Sequence, residues 1–185
     1  MSRQFDTAGA PHFPPHATIA GVMQQVLYAL IPGILAYAWF FGPGVLIQIL
    51  LAVGFALGFE WVMLKVRRQP VRTFLGDFSA VVTAVLFALC LPPLAPWWIA
   101  FIGMLFAIVL AKHLYGGLGN NVFNPAMVGY VVVLISFPQA MTSWLPPSSL
   151  AASPLGIGAV VSTILTGSLP LELTWDAITQ ATPLD

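Results

Sequence analysis

Five apolar stretches, joined by short links, follow one another between residues 19 and 137. A helix needs about 20 apolar residues to cross a bilayer, fewer where it is broken or re-entrant. The first stretch covers residues 19–41, with Pro32-Gly33 inside it as an expected kink. The second covers 44–64 and contains Gln48 and Glu60. The third runs over about 74–91 and stops at Pro92-Pro93, and the fourth over about 94–111, led by Trp97-Trp98, a pair suited to the membrane interface. The fifth, about 123–137, is short, as a half-helix or a thinned region would be. Only 6% of the residues are charged and 59% are hydrophobic, against roughly 25% charged in soluble domains. Such a chain cannot cover a water-facing surface. The expected fold is therefore an all-α integral membrane protein with about five transmembrane helices.

The basic residues orient these helices. All six of them, Arg3, Lys65, Arg67, Arg68, Arg72 and Lys112, fall on one side if there are five spans. The positive-inside rule places that side, and the N-terminus, in the cytoplasm. Residues 1–18 are then a cytoplasmic arm, 19–137 the five-span domain, and 138–185 a loop on the outer side. The arm has no apolar core behind its basic residue and is not read as a cleavable signal peptide. Residues 150–169 compete for a sixth span. They are rich in Ser, Thr, Gly and Pro, and their clean apolar part is too short, so a surface-lying helix or a packed loop is expected.

Several function classes are excluded early. Net charge is zero, which leaves no basic surface for nucleic acid. The single cysteine, Cys90, cannot form a disulfide or a cysteine metal cluster within the chain, and His12 and His16 have no third metal ligand nearby in sequence. Glu60 is read as a solvated acid at a helix end near Lys65 or Arg67, Asp77 as a first-turn cap, and His113 beside Lys112 as an ordinary cation at a helix C-terminus. Gln24, Gln25 and Gln48 can bond between helices.

Two stretches carry candidate chemistry. In "HLYGGLGNNVFNPAMVG", residues 113–129, Gly116, Gly117, Gly119, Asn120, Asn121 and Asn124 lead into the short fifth helix, with Pro125 at its start. Irregular backbone there can line a substrate or cofactor pocket. It can equally be a tight turn whose small residues let helices approach, and the letters alone leave both open. The "NPA" of Asn124 to Ala126 is also similar to the half-helix box of aquaporins, which need a second such box that this sequence lacks.

The second stretch is "DAITQAT", in which Asp176, Thr179, Ala181 and Thr182 form D-x-x-T-x-A-T. This pattern resembles the acceptor sequence of bacterial flavin transferases, with Thr182 at the acceptor position and Asp176, Thr179 and Ala181 as recognition residues. A threonine hydroxyl is a weak nucleophile that needs an external base and metal to attack a diphosphate. Pro183 favours the extended backbone such an enzyme must reach. "YGGLGNNVFNPAMVGYVV", "SFPQAMTSWLPP", "LPPLAPWW" and "ITQATPLD" also resemble stretches of the RnfD/RsxD family, the D component of the Rnf electron-transport complex. That family is related to the B component of the sodium-pumping NADH:quinone reductase.

The resemblance implies a subunit of a bacterial inner-membrane complex that moves electrons between ferredoxin and NAD, coupled to Na+ or H+ transport. It implies FMN joined by a phosphodiester to Thr182 on the periplasmic side, a second non-covalent flavin such as riboflavin, and as partners the other Rnf subunits, a flavin transferase and membrane lipid. It also implies that the five spans are the first of two inverted repeats, so the second half of the family pattern is absent from these residues and the chain alone is not expected to be active. The rival classes are a channel-like facilitator of small solutes and a non-catalytic assembly subunit.

Overall fold

The structure is a computed structural model that describes residues 18–148, 155–169, 174, 175 and 179. Among the described residues there is no β-strand, and the molecule is a bundle of helices. Helix α1, Ile19–Phe41, starts at Thr18, whose hydroxyl accepts from the Gly21 N–H, and Pro32 lies within it without ending it. Gly42, at φ 85°, ends it. Helix α2, Gly44–Val66, follows at once. Helices α3, Val71–Leu75, and α4, Ser79–Leu89, are separate, and Trp97–His113 forms α5. Then come α6, Pro125–Ser136, α7, Pro138–Thr142, and α8, Ile157–Thr166.

Three helical stretches are long and apolar enough to cross a membrane: Ile19–Phe41, Gly44–Val66 and Val71–Leu89. Trp97–His113 and Pro125–Ser136 are shorter apolar helices. Together they make an all-α membrane protein, as expected. The third expected span is not one helix, however. It breaks at residues 76–78, where Phe78 adopts a left-handed conformation at φ 61°. The fourth departs as well: its second half, Leu105–His113, is wound as a π-helix. The competing segment at 150–169 yields, among the described residues, only the ten-residue α8, packed through Val160 and Ile164 against Leu94 with Ile47 and Leu51 beside it.

Small side chains set the packing. Ala52 and Ala56 of α2 and Ala80, Ala84 and Ala88 of α4 are buried in one cluster with Phe87, Ile99, Met104 and Ile108. In lipid the apolar effect between helices is weak, so close backbone approach and dispersion must hold the bundle together. Gly103 shows the requirement: a Cβ there would collide with the Phe87 ring, and one on Gly129 would strike the Gly103 carbonyl and Ala107. Polar clasps close the end away from the basic residues. Buried Gln48 donates to the Ala95 carbonyl in the turn before α5, so its partner is a loop carbonyl and not another helix. The Tyr37 hydroxyl donates to the Leu91 carbonyl at 3.1 Å.

Candidate functional site

Among the described residues, a cavity lies toward each end of the bundle. The larger, about 600 Å³, lies at the end away from the basic residues. Its wall combines the turn before α5, from Leu94 to Pro96, with Trp98 and the segment where α6 meets α7. Pro138 at the start of α7 turns the chain there, so Phe137 swings across and packs edge-on against Trp98 with ring centroids 4.7 Å apart. The polar side is made by Ser136, Gln139, Thr142 and Ser143. Trp175 and Thr179 close it from the C-terminal segment, and the Thr179 N–H donates to the Trp175 carbonyl at 2.9 Å. The size and mix of aromatic and polar walls suit a ring-shaped ligand with hydrogen-bonding edges.

Of the sequence-derived attachment motif, Thr179 is thus brought to the mouth of this cavity. Asp176, Ala181 and Thr182 lie outside the described residues. Leu94, Trp98 and Phe137 were not singled out as wall residues by the sequence. Apolar residues in apolar runs carry no signal of a cavity, and only the turn at Pro138 brings them together.

The opposite end holds a buried charge cluster that corrects the reading of Glu60. Glu60 is 1% exposed and does not reach water beside Lys65 or Arg67. Its Oε1 accepts from Lys112 Nζ at 2.8 Å, and its Oε2 lies 3.0 Å from His113 Nε2. Lys112 and His113, 2% and 4% exposed, are likewise not solvated cations of a helix end. Burial of an acid is tolerable here because a full charge partner sits within hydrogen-bond reach. The π-helix is the local cause. Consecutive residues of an α-helix point about 100° apart, and the wider π-turn brings Lys112 and His113 round to the same carboxylate.

The network extends further. Lys112 Nζ also donates to Ser79 Oγ at 2.8 Å, and Ser79 in turn donates through its hydroxyl and its N–H to Asp77 Oδ1. Asp77 thus binds the first N–H of α4 from a position before the helix, where Phe78 is the N-cap, and is not the first-turn acid expected of it. On the other flank Arg67 Nη1 lies 3.1 Å from His113 Nδ1, while its Nη2 donates to the Gly116 carbonyl at 3.0 Å. A cavity of about 100 Å³ opens among Glu60, Arg67, Asp77, His113, Gly116 and Gly117.

The glycine–asparagine stretch is mainly a turn. Gly116, Gly117 and Gly119 all have positive φ, at 110°, 103° and 87°, which side chains would resist. The Gly117 N–H donates to the Lys112 carbonyl and the Asn120 N–H to that of Gly117. Asn121 accepts from the Gly119 N–H and donates to the Phe123 carbonyl. Asn124 caps α6 by accepting from the Ala126 N–H at 2.9 Å. Gly116 and Gly117 line the small cavity, whereas Gly119, Asn120, Asn121 and Asn124 do not.

Comparison with known proteins follows the same residues. The family model described as the NQR2, RnfD, RnfE family matches residues 6–185. Curated relatives carry the name of the D component of an ion-translocating oxidoreductase complex. The chain is 52% identical to the one from Aeromonas hydrophila, over 98% of this chain and 54% of that protein. It is 50% identical to the one from Sodalis glossinidius, with the same coverage, and 48% identical to that of Escherichia fergusonii, over 98% of this chain and 53% of the relative. The chain thus spans about half the length of the curated relatives it matches. Both cavities and all eight described helices lie within the matched residues, and the chain belongs to the NQR2, RnfD, RnfE family.

Proposed function

We propose that this chain is the flavin-bearing half of a membrane subunit in an ion-translocating oxidoreductase complex, with FMN joined by a phosphodiester to Thr182. The observation that carries the reading is the position of Thr179. It lies three residues before the acceptor and lines the aromatic-walled cavity of about 600 Å³. A tether at Thr182 is within a short reach of that cavity, since each extended residue spans at most about 3.6 Å.

The residues present fit a flavin. Trp98, Phe137 and Trp175 offer flat apolar surface, and Gln139, Thr142 and Ser143 offer donors and acceptors for a polar ring edge. A flavin supplies one- and two-electron redox chemistry when bound. The chain's own residues would orient the ring and exclude water from it. The covalent link would keep the group in place in every redox state. The electron couple is proposed as ferredoxin and NAD and the transported ion as Na+ or H+. The partners are proposed as the other subunits of the complex and a flavin transferase acting on the Thr182 motif. A non-covalent riboflavin is proposed without assigned residues. The setting is proposed as the bacterial inner membrane, with the flavin segment on the periplasmic side.

The test is in-gel flavin fluorescence after SDS denaturation, with the chain co-expressed with a periplasmic flavin transferase. The parent band is expected to fluoresce and the Thr182→Val band to be dark. A dark parent band beside a labelled control substrate would overturn the reading. A bright Thr182→Val band would move the attachment elsewhere.

A further inference from the structure

The buried cluster at the basic end has no part in holding a flavin at the other end, and its geometry is specific. Arginine can only donate hydrogen bonds. Arg67 Nη1 lies 3.1 Å from His113 Nδ1, so Nδ1 must be the bare, accepting nitrogen. The ring is then neutral, with its proton on Nε2 facing Glu60. That approach is 3.0 Å long, so His113 Nε2 and Glu60 Oε2 face each other as a buried pair. Both residues border the polar cavity of about 100 Å³, large enough for water.

The surroundings are strained as a working site tends to be. Arg68, next to Arg67, and Phe78, between Asp77 and Ser79, are the two non-glycine residues at positive φ among the described residues. The π-helix ends at His113 itself. These irregular features converge on one cluster.

We propose that His113 is a proton-binding site, loaded from this cavity, whose occupancy decides whether Arg67 holds the glycine turn. A proton from cavity water adds to the Nδ1 lone pair and leaves by the same route. In the imidazolium both ring nitrogens donate, and Nδ1–H then faces the guanidinium N–H at 3.1 Å, donor against donor and cation against cation. Arg67 must withdraw, and its second bond, to the Gly116 carbonyl, is lost with it. Glu60 remains to balance the new charge. The other charged groups facing the ring are Lys112, already paired to Glu60, and Asp77 across the cavity, while α6 contributes none. Released, the turn keeps only its backbone bonds, such as those from the Gly116 and Gly117 N–H groups to the His113 and Lys112 carbonyls, and the mouth of the cavity loosens.

Two measurements in the complex as expressed in its own membranes test this. The first is ¹⁵N-histidine NMR, in which the His113 signals are identified as those missing from the His113→Gln spectrum. Nε2–H is expected at the alkaline end of a pH series, with imidazolium appearing toward its acidic end. The second is the mobility of a nitroxide on Leu118→Cys in a Cys90→Ala background. The mobile fraction should rise several-fold over the same range. It should stay low in His113→Gln or His113→Asn and stay high at every pH in Arg67→Gln. A proton on Nδ1 at high pH, a ring that never titrates, or a pH response that survives in both His113 variants overturns the proposal.

Discussion

Glu60 shows at the scale of one residue how context reverses a reading. In sequence it stands five positions before Lys65 and near the end of an apolar run, where long side chains ordinarily reach water. In the fold it is enclosed by Lys112, His113 and the α4 start. Glu60→Gln should destabilise the protein by about 3–5 kcal/mol, because the Lys112 ammonium is then buried without its counter-charge. Thermal unfolding in detergent checks this. Adding Lys112→Met to Glu60→Gln should recover much of the loss, since removing the second charge removes its desolvation cost. Recovery would identify charge burial, and not lost packing, as the origin of the effect.

At the scale of elements, the π-helical half of α5 is the feature that composition could not reveal. Its residues, LFAIVLAKH, have ordinary helix formers and no inserted proline or glycine. Removing Val109 should let this stretch wind as an α-helix and turn His113 or Lys112 away from Glu60. The expected loss of stability should overlap that of Glu60→Gln, so the combined variant falls short of the sum of the two. Additive losses would show that the π-turn is independent of the ion pair. Close approach of α5 and α6 makes a second claim: Gly129→Leu should separate these helices and cost several kcal/mol, read as a lower thermal midpoint, because the Gly103 carbonyl occupies the space a side chain needs.

For the whole molecule, the two cavities occupy opposite ends, one beside the basic residues and one beside Thr179 of the C-terminal motif. If the basic end faces the cytoplasm, single cysteines at Asn121 and Ser143, in a Cys90→Ala background, should react with an impermeant maleimide from opposite sides. Ser143→Cys should label in intact cells after outer-membrane permeabilisation, and Asn121→Cys only in inverted vesicles. Both labelling from one side would place the two cavities in the same compartment and remove the periplasmic assignment of the Thr182 segment.

The letters alone determined the class of this protein. Apolar runs of spanning length, scarce charge and punctuation at Phe41–Gly44 and Pro92–Pro96 are local properties, and local properties survive in a linear reading. The proposed attachment motif rests on the same kind of local pattern, being four residues within seven positions. What only the tertiary structure decided is which residues share a space. Glu60 and Lys112 are 52 positions apart, and Trp98 meets Phe137 across the bundle. No periodicity encodes such pairs, because they depend on helix rotation, on where the third span breaks before α4 and on a π-turn that shifts every side chain after it. An acid thus read as solvated became the centre of a buried network, and ordinary apolar residues became the wall of a cavity.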